Sequence, residues 1–325
     1  MENSKFKVSL FFEGINIHIH SNSQQLFDMA VEYFHNCDDG RRNIIDKRID
    51  FYFEQRKTLS RGRWDLANWK NQTYIFESWS RDITARSNYQ KGIIRSYLSS
   101  QCKFPREVIE DLLIFRPLRL MLGKYGFPII HAGCVAIGDW GILIPSIYGR
   151  GKTITTLNLV RKGFKFLSDE YVLLKESNGK IEAHPLPQRI GIRKDLMNLF
   201  PELKFLRDRK DSFHRKKRFW IEEAYPKAAA KACYPRLIIF PNFKKNCKLD
   251  LAKISKKEAL LNILKDKESF AISMGILKHR DSALRHFNIL SSLIEQTDTY
   301  QLTYSGNNLD NLAEMLKNPR LPFKR

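Results

Sequence analysis

Residues 141–163 read GILIPSIYGRGKTITTLNLVRKG, three patterns in succession. GILIP is a short apolar run of the kind that forms a buried strand. TITTLNLV reads as a helix, and Gly163 is its stop. Between them Gly149, Gly151, Lys152 and Thr153 form a tight cluster. Strand, glycine-bearing loop and helix in that order turn several backbone N–H groups toward one point at a helix N-terminus, and such a point attracts an anion. Glycine, lacking Cβ, reaches the backbone angles that this requires. The spacing is that of the phosphate loop G-x-x-x-x-G-K-S/T, except that Ser146 stands at the first position. Nucleotide phosphates are the expected ligand, with Ser146, Gly149, Arg150, Gly151, Lys152, Thr153 and Ile154 as the binding set. Lys152 would reach the outer phosphates and the Thr153 hydroxyl would ligate Mg²⁺. An ordinary glycine turn is the competing reading.

The next apolar stretch, FKFLSDEYVLL (164–174), reads as one strand with Ser168-Asp169-Glu170 at its end. In an open α/β sheet, strand ends beside a phosphate loop are where ligand and metal sit. An acid there can hold Mg²⁺ or accept a proton from a nucleophile. Adjacent residues of a strand point to opposite faces, so Asp169 and Glu170 are expected to divide those tasks unless the strand ends there. His131, in IIHAG just upstream, is open between two roles. It can neutralise phosphate charge or relay a proton, or be a core histidine bonded to the backbone.

Composition sets the limits. A chain of 325 residues with 43% hydrophobic content is globular and long enough for two domains. No apolar run approaches the about 20 residues of a membrane span. The opening MENSKFKVSLFFEG has charges where a secretory signal is apolar, so a cytoplasmic protein is expected. Five widely spaced cysteines give neither a disulfide framework nor a zinc pattern. The formal net charge of +21 favours an anionic partner but does not choose among nucleotide, acidic peptide, nucleic acid and membrane surface. A lysine-biased proteome would produce the same number.

Along the chain, FKVSLFFEGINIHIHS reads as two strands around Glu13-Gly14, with His18 and His20 on a solvated face. SQQLFDMAVEYF reads as a helix, and residues 44–98 as a small, largely extended mixed sheet. REVIEDLLIFRPLRLMLGKYG reads as a helix that Pro117 should kink or split. From Phe127 the pattern becomes α/β, and PRLIIFP is apolar enough for a strand buried on both faces. Ser255-Lys-Lys-Glu258 is a capping box that opens a helix. A basic loop, RDRKDSFHRKKR (207–218), holds seven Lys/Arg against two Asp. It is either a solvated surface loop or a clamp for phosphates or an acidic peptide, joined by Arg189 and Arg193. The expected division is an α+β accessory domain over 1–100 and a catalytic α/β domain over 101–325.

The series IIHAGCVAI, GILIPSIYGRGKT and GFKFLSDEYVLL resembles the catalytic core of HPr kinase/phosphorylase and its related small kinases. More distantly it is similar to ATP-dependent phosphoenolpyruvate carboxykinases. HPLPQRIGIR and YPRLIIFPNF extend the resemblance, which covers about residues 120–320. It implies a P-loop kinase core of the HPr kinase/phosphoenolpyruvate carboxykinase type. ATP and Mg²⁺ would be the cofactors, held by Lys152 and Thr153. Asp169 would accept the proton of a serine hydroxyl, Glu170 would assist the metal with Asp169, and His131 would lie near the transferred phosphoryl group. The sequence departs from the family at Ser146, and at Arg150, whose position is normally small. The implied activity is transfer of the ATP γ-phosphate to a serine of a peptide or small protein, such as a lasso peptide, without phosphorolysis.

A small-molecule hydroxyl is a variant of that reading. A nucleotide-binding module without catalysis is a second, motivated by Ser146 and Glu170. Nucleic-acid binding is the weakest, since the basic loop has no interleaved aromatic residues. No membrane partner is expected, and a homo-oligomer stays open.

Overall fold

The computed structural model describes residues 4–35, 47–57, 73–77, 82–146, 151–209, 216–266, 280–305 and 309–317. Gly149 and Arg150 lie outside these residues, as do 210–215 of the basic loop. Two compact units divide the chain, Met1–Tyr125 and Gly126–Arg325. Both are mixed α/β structures.

In the first unit, β1 (Phe6–Phe12) and β2 (Ile15–Ser21) form a hairpin whose Glu13 and Gly14 both have positive φ. Such a turn matches the right-handed twist of the flanking strands. Helix α1 (Gln24–His35), β3 (Arg48–Arg56), β4 (Thr73–Glu77), β5 (Ile83–Asn88) and β6 (Ile93–Ser99) follow. The six strands make one sheet in the order β1-β2-β3-β6-β5-β4. Alternation places Ile15, Ile17, Ile19, Phe51 and Phe53 on one buried face, where Leu26 and Phe34 of α1 pack.

Pro117 does not split its helix. The chain runs through α2 (Arg106–Glu110), one π turn (Asp111–Phe115) and α3 (Arg116–Lys124). The wider turn lets the Arg116 N–H bond the Asp111 carbonyl just ahead of the proline. Pro117 has no N–H for the carbonyl of Leu113. Ser96 Oγ donates to that carbonyl instead, at 2.7 Å. The bond ties the helix to the first sheet, so the units divide at Tyr125/Gly126, not at residue 100.

The second unit contains β7 (Ile129–Ile137), β8 (Trp140–Pro145), α4 (Lys152–Arg161), β9 (Lys165–Ser168), β10 (Tyr171–Ser177) and β11 (Lys180–Pro185). Next come β12 (Ile190–Arg193), β13 (Lys216–Phe219), α5 (Ile221–Ala224), β14 (Tyr234–Phe243) and β15 (Asp250–Lys253). The chain then forms α6 (Lys256–Leu264), α7 (Arg280–Gln296), β16 (Asp298–Tyr304) and α8 (Asp310–Lys317). The main sheet runs β11-β10-β7-β8-β14-β16-β15, with β9 also on β7. Its centre, β8-β14-β16, is parallel. β14 is buried from Leu237 to Phe240, as its unbroken apolar run requires.

Alternate residues of the sheet feed two cores. Ile142, Ile144, Leu237 and Ile239 pack with Leu157 of α4 and Leu312 of α8. Leu143, Ile238 and Phe240 pack with Ile263 of α6 and Leu290 of α7. The result is a sheet between two helical layers. Ser255 caps α6 by accepting from the Glu258 N–H at 3.2 Å. The end of the basic stretch is not loop: β13 pairs antiparallel with β12.

Candidate functional site

The site forms where β8 hands over to α4. β8 stops at Pro145, Ser146 follows it, and α4 begins at Lys152 behind Gly151. Gly151 has φ +103, and a Cβ there would lie 2.0 Å from the Tyr304 hydroxyl. Only glycine fits. Thr155 Oγ1 and Tyr304 Oη both donate to the Gly151 carbonyl, at 3.0 and 3.3 Å, and fix the start of the helix. Gly133 on β7 has a related task. A Cβ there would meet Thr156 Oγ1 at 2.3 Å, so its absence lets the first turns of α4 lie close on the sheet. The Ile154 side chain packs against the core, so its backbone N–H, in the first turn of α4, is the group it could offer an anion.

FKFLSDEYVLL is not one strand. β9 and β10 both pair antiparallel with β7, Cys134 opposite Ser168 and His131 opposite Tyr171. The two residues between them, Asp169 and Glu170, form a bend. Ser168 Oγ makes this break by accepting from the Glu170 and Tyr171 N–H groups, at 3.2 and 3.1 Å, and donating to the Tyr171 carbonyl at 2.8 Å. A side chain has replaced the ladder as the partner of these backbone groups. Strand alternation therefore does not hold here, and the fields of Lys152 and Lys216 reach both carboxylates.

The predicted catalytic residues converge. Thr153 Oγ1 donates to Asp169 Oδ2 at 2.9 Å. Lys152 Nζ lies 2.5 Å from His131 Nε2, and His131 Nδ1 lies 2.9 Å from Asp266 Oδ2. The His131 ring also packs on Tyr171, centroids 5.2 Å apart. Lys216 Nζ approaches Glu170 Oε1 at 3.5 Å, so the basic stretch does reach the site. Lys216 was part of the basic stretch singled out from the sequence, whereas Asp266 and Tyr304 were not. Those two come from distant segments with no motif around them. Arg193 pairs with exposed Asp195 and Arg189 stacks on Trp220, centroid distance 5.1 Å.

The electrostatics are uneven. Asp169 is buried, its Oδ1 has no hydrogen-bond partner among the described residues, and burial raises its pKa to about 7 against the pull of Lys152. Glu170 also loses solvation, but Lys152, Lys216 and Arg218 outweigh that and hold it below the usual carboxylate range. Burial lowers the pKa of Lys152, opposed by Asp169 and Glu170. One acid is thus poised to exchange a proton near neutrality while its neighbour stays ionised.

Among the described residues no group of three or more His, Cys, Asp or Glu forms a metal cluster. Mg²⁺ does not need one, because it keeps several waters and binds through one or two carboxylates plus substrate phosphates. Thr153 Oγ1, a Glu170 oxygen and the unpartnered Asp169 Oδ1 are the hard oxygen donors that such an ion takes. The donor set fits.

No family model matches the chain, and no curated protein matches it. Among solved structures, the HPr(Ser) kinase/phosphatase from Coxiella burnetii is similar over 61% of this chain and 99% of its own. The sequence identity is 14% and the TM-score 0.32. Superposition that loose carries neither fold nor reaction across, and the chemistry rests on the side chains described above. Among the described residues no helix is long and apolar enough to cross a membrane.

Proposed function

We propose that the chain is an ATP-dependent phosphotransferase whose acceptor is a hydroxyl, and that this hydroxyl belongs to a serine of a peptide or small protein. One observation carries the reading. Asp169 is buried beside Lys152, bonded through Oδ2 to Thr153 at the start of α4, and its Oδ1 has no partner among the described residues. A buried carboxylate with a vacant oxygen is costly for folding and useful for proton transfer.

In this mechanism the ammonium of Lys152 and the backbone N–H groups of the first turn of α4 hold the outer phosphates. Mg²⁺, when bound with the nucleotide, neutralises phosphate charge, and Thr153 with Glu170 and Asp169 would hold it. The acceptor oxygen forms a bond to the γ-phosphorus, the bond from that phosphorus to the β-bridging oxygen breaks, and ADP leaves. Asp169 takes the acceptor's proton. In the free protein burial raises this carboxyl to about 7, which makes it the more basic of the two acids at the site. His131 contributes by bonding Lys152, which sets where the ammonium sits.

Binding of nucleotide without turnover is the second reading, favoured by Ser146 in place of the loop's first glycine. Phosphorus NMR of Mg-ATP with a pool of serine peptides separates the two. Phosphopeptide from the wild type, and none from Lys152→Ala or Asp169→Asn, is the expected result. Nucleotide bound but never consumed by the wild type sinks the phosphotransferase reading.

A further inference from the structure

Every residue of the candidate site belongs to the second unit, which leaves the first without a task. One face of its sheet is packed by α1. The other carries an ordered row of side chains. Strand pairing sets Lys7 beside His20, His20 beside Tyr52, Tyr52 beside Arg95, and Arg95 beside Arg86. At a strand spacing of about 4.8 Å the row spans roughly 19 Å. Lys7 and Arg86 are exposed, and Arg95 keeps a side-chain exposure of 31%.

The tyrosines on this face are clamped. His20 stacks on Tyr52 with ring centroids 4.6 Å apart, and Arg95 lies 4.9 Å from the same ring's centroid. Since β2 and β6 flank β3, the two approach from opposite sides. Arg56 and Arg86 flank Tyr97 in the same way, at 4.3 and 6.0 Å. Stacked nucleic-acid bases need a free aromatic face, and both faces of each ring are occupied. The guanidinium carbons of Arg95 and Arg86 thus lie 4.9 and 6.0 Å from ring centroids, and an arginine over a ring can still offer its N–H groups to a planar anion.

The face itself shows which anion suits those edges. Arg48 forks Asp50 at 2.9 and 2.7 Å, and Arg56 forks Glu54 at 3.2 and 2.5 Å. On β1, β2, β3, β5 and β6 these two are the carboxylates of the face. Glu54 is shared with Arg95 at 4.0 Å, and Lys7 and Arg86 add further positive charge. Burial holds the pKa of His20 below its ordinary value, so the excess comes from lysine and arginine.

We propose that this open face docks an acidic polypeptide segment, with Lys7, Arg86 and Arg95 as its anchoring cations. On the phosphotransferase reading, on which this last step rests, the segment belongs to the acceptor. Arginines already clamped on rings lose little rotamer freedom when they pair with a carboxylate.

Fluorescence anisotropy of the full chain with a labelled twelve-residue oligoglutamate tests the docking without any turnover. The expected result is saturable binding that Arg86→Ala with Arg95→Ala weakens roughly tenfold. Lys7→Glu should weaken it as well, while exposed Lys257→Ala on α6 should not. Equal affinity in all variants overturns the proposal, as does binding no tighter than to a glycine-serine peptide of the same length. A twelve-nucleotide oligouridylate that binds more tightly than oligoglutamate and responds to the same variants overturns it in favour of nucleic acid. Unfolding midpoints of the variants, expected unchanged, separate lost docking from lost fold. Failure of phosphoryl transfer leaves this binding result standing, and the converse also holds.

Discussion

Lys152 Nζ and His131 Nε2 lie 2.5 Å apart, although the residues are 21 positions apart in the chain. An ammonium has no lone pair, so a protonated Lys152 donates and Nε2 accepts. The ring proton is then on Nδ1, facing Asp266 Oδ2 at 2.9 Å. Asp266 therefore acts on Lys152 through the tautomer of His131. The expected effect of Asp266→Ala is a loss of about 10–100-fold in kcat/KM for nucleotide. Asp266→Asn, which can still accept from Nδ1, should retain most of the activity. Nitrogen NMR of His131 checks the cause: the alanine variant should shift toward the Nε2–H tautomer, and an unchanged spectrum would remove Asp266 from the mechanism.

Asp169 should separate activity from stability. Asp169→Asn is expected to lower kcat by about 10²–10⁴-fold by removing the proton acceptor. The same change should raise the unfolding midpoint at pH 8, because a buried carboxylate with one unpaired oxygen is gone. Calorimetry alongside steady-state kinetics reads both. A joint fall of activity and midpoint would mean that the residue is chiefly structural.

The pH dependence of stability has a definite sign. In the folded chain Asp169 titrates at about 7, well above an unfolded aspartate. Its protonated form therefore stabilises the fold at low pH, and that contribution is lost as pH rises toward 7. In chelator and without nucleotide, the wild-type midpoint should fall between about pH 5 and 7 relative to that of Asp169→Asn. Parallel curves for the two proteins would contradict the burial argument.

Close packing of α4 on β7 gives a rescue experiment. Gly133→Ala would place a Cβ 2.3 Å from Thr156 Oγ1, a buried hydroxyl with no hydrogen-bond partner among the described residues. Overpacking of this kind costs about 1–3 kcal/mol. Adding Thr156→Ala removes the obstructing oxygen and leaves Lys152 Cγ at 3.4 Å as the next neighbour. Denaturant unfolding should show the double variant more stable than Gly133→Ala alone.

Ser168→Ala tests the broken strand. The hydroxyl satisfies two backbone N–H groups at the bend, and its loss should cost about 1–3 kcal/mol. Because the bend also sets Asp169, kcat should fall further than stability explains, which rate measurements well below the unfolding midpoint will show.

The sequence by itself determined the local order of elements. Apolar alternation marked β2, continuous apolar runs marked β8 and β14, Gly163 marked the end of α4, and the glycine-lysine-threonine cluster marked its start, because these signals are contained within a few neighbouring residues. It also named His131, Lys152, Thr153, Asp169 and Glu170, whose types suit phosphate chemistry. What it left open depended on contacts between distant segments. The split of FKFLSDEYVLL follows from the Ser168 hydroxyl outcompeting the ladder with β7, and the uninterrupted helix at Pro117 from Ser96 supplying the hydrogen bond that the proline cannot. Asp266, Lys216 and Tyr304 join the site only because the fold brings the segment after α6, the start of β13 and the end of β16 to the end of β8. No period or spacing in the chain encodes that meeting. Folding alone could also raise Asp169 toward neutrality, since burial, unlike residue type, is a property of the surroundings.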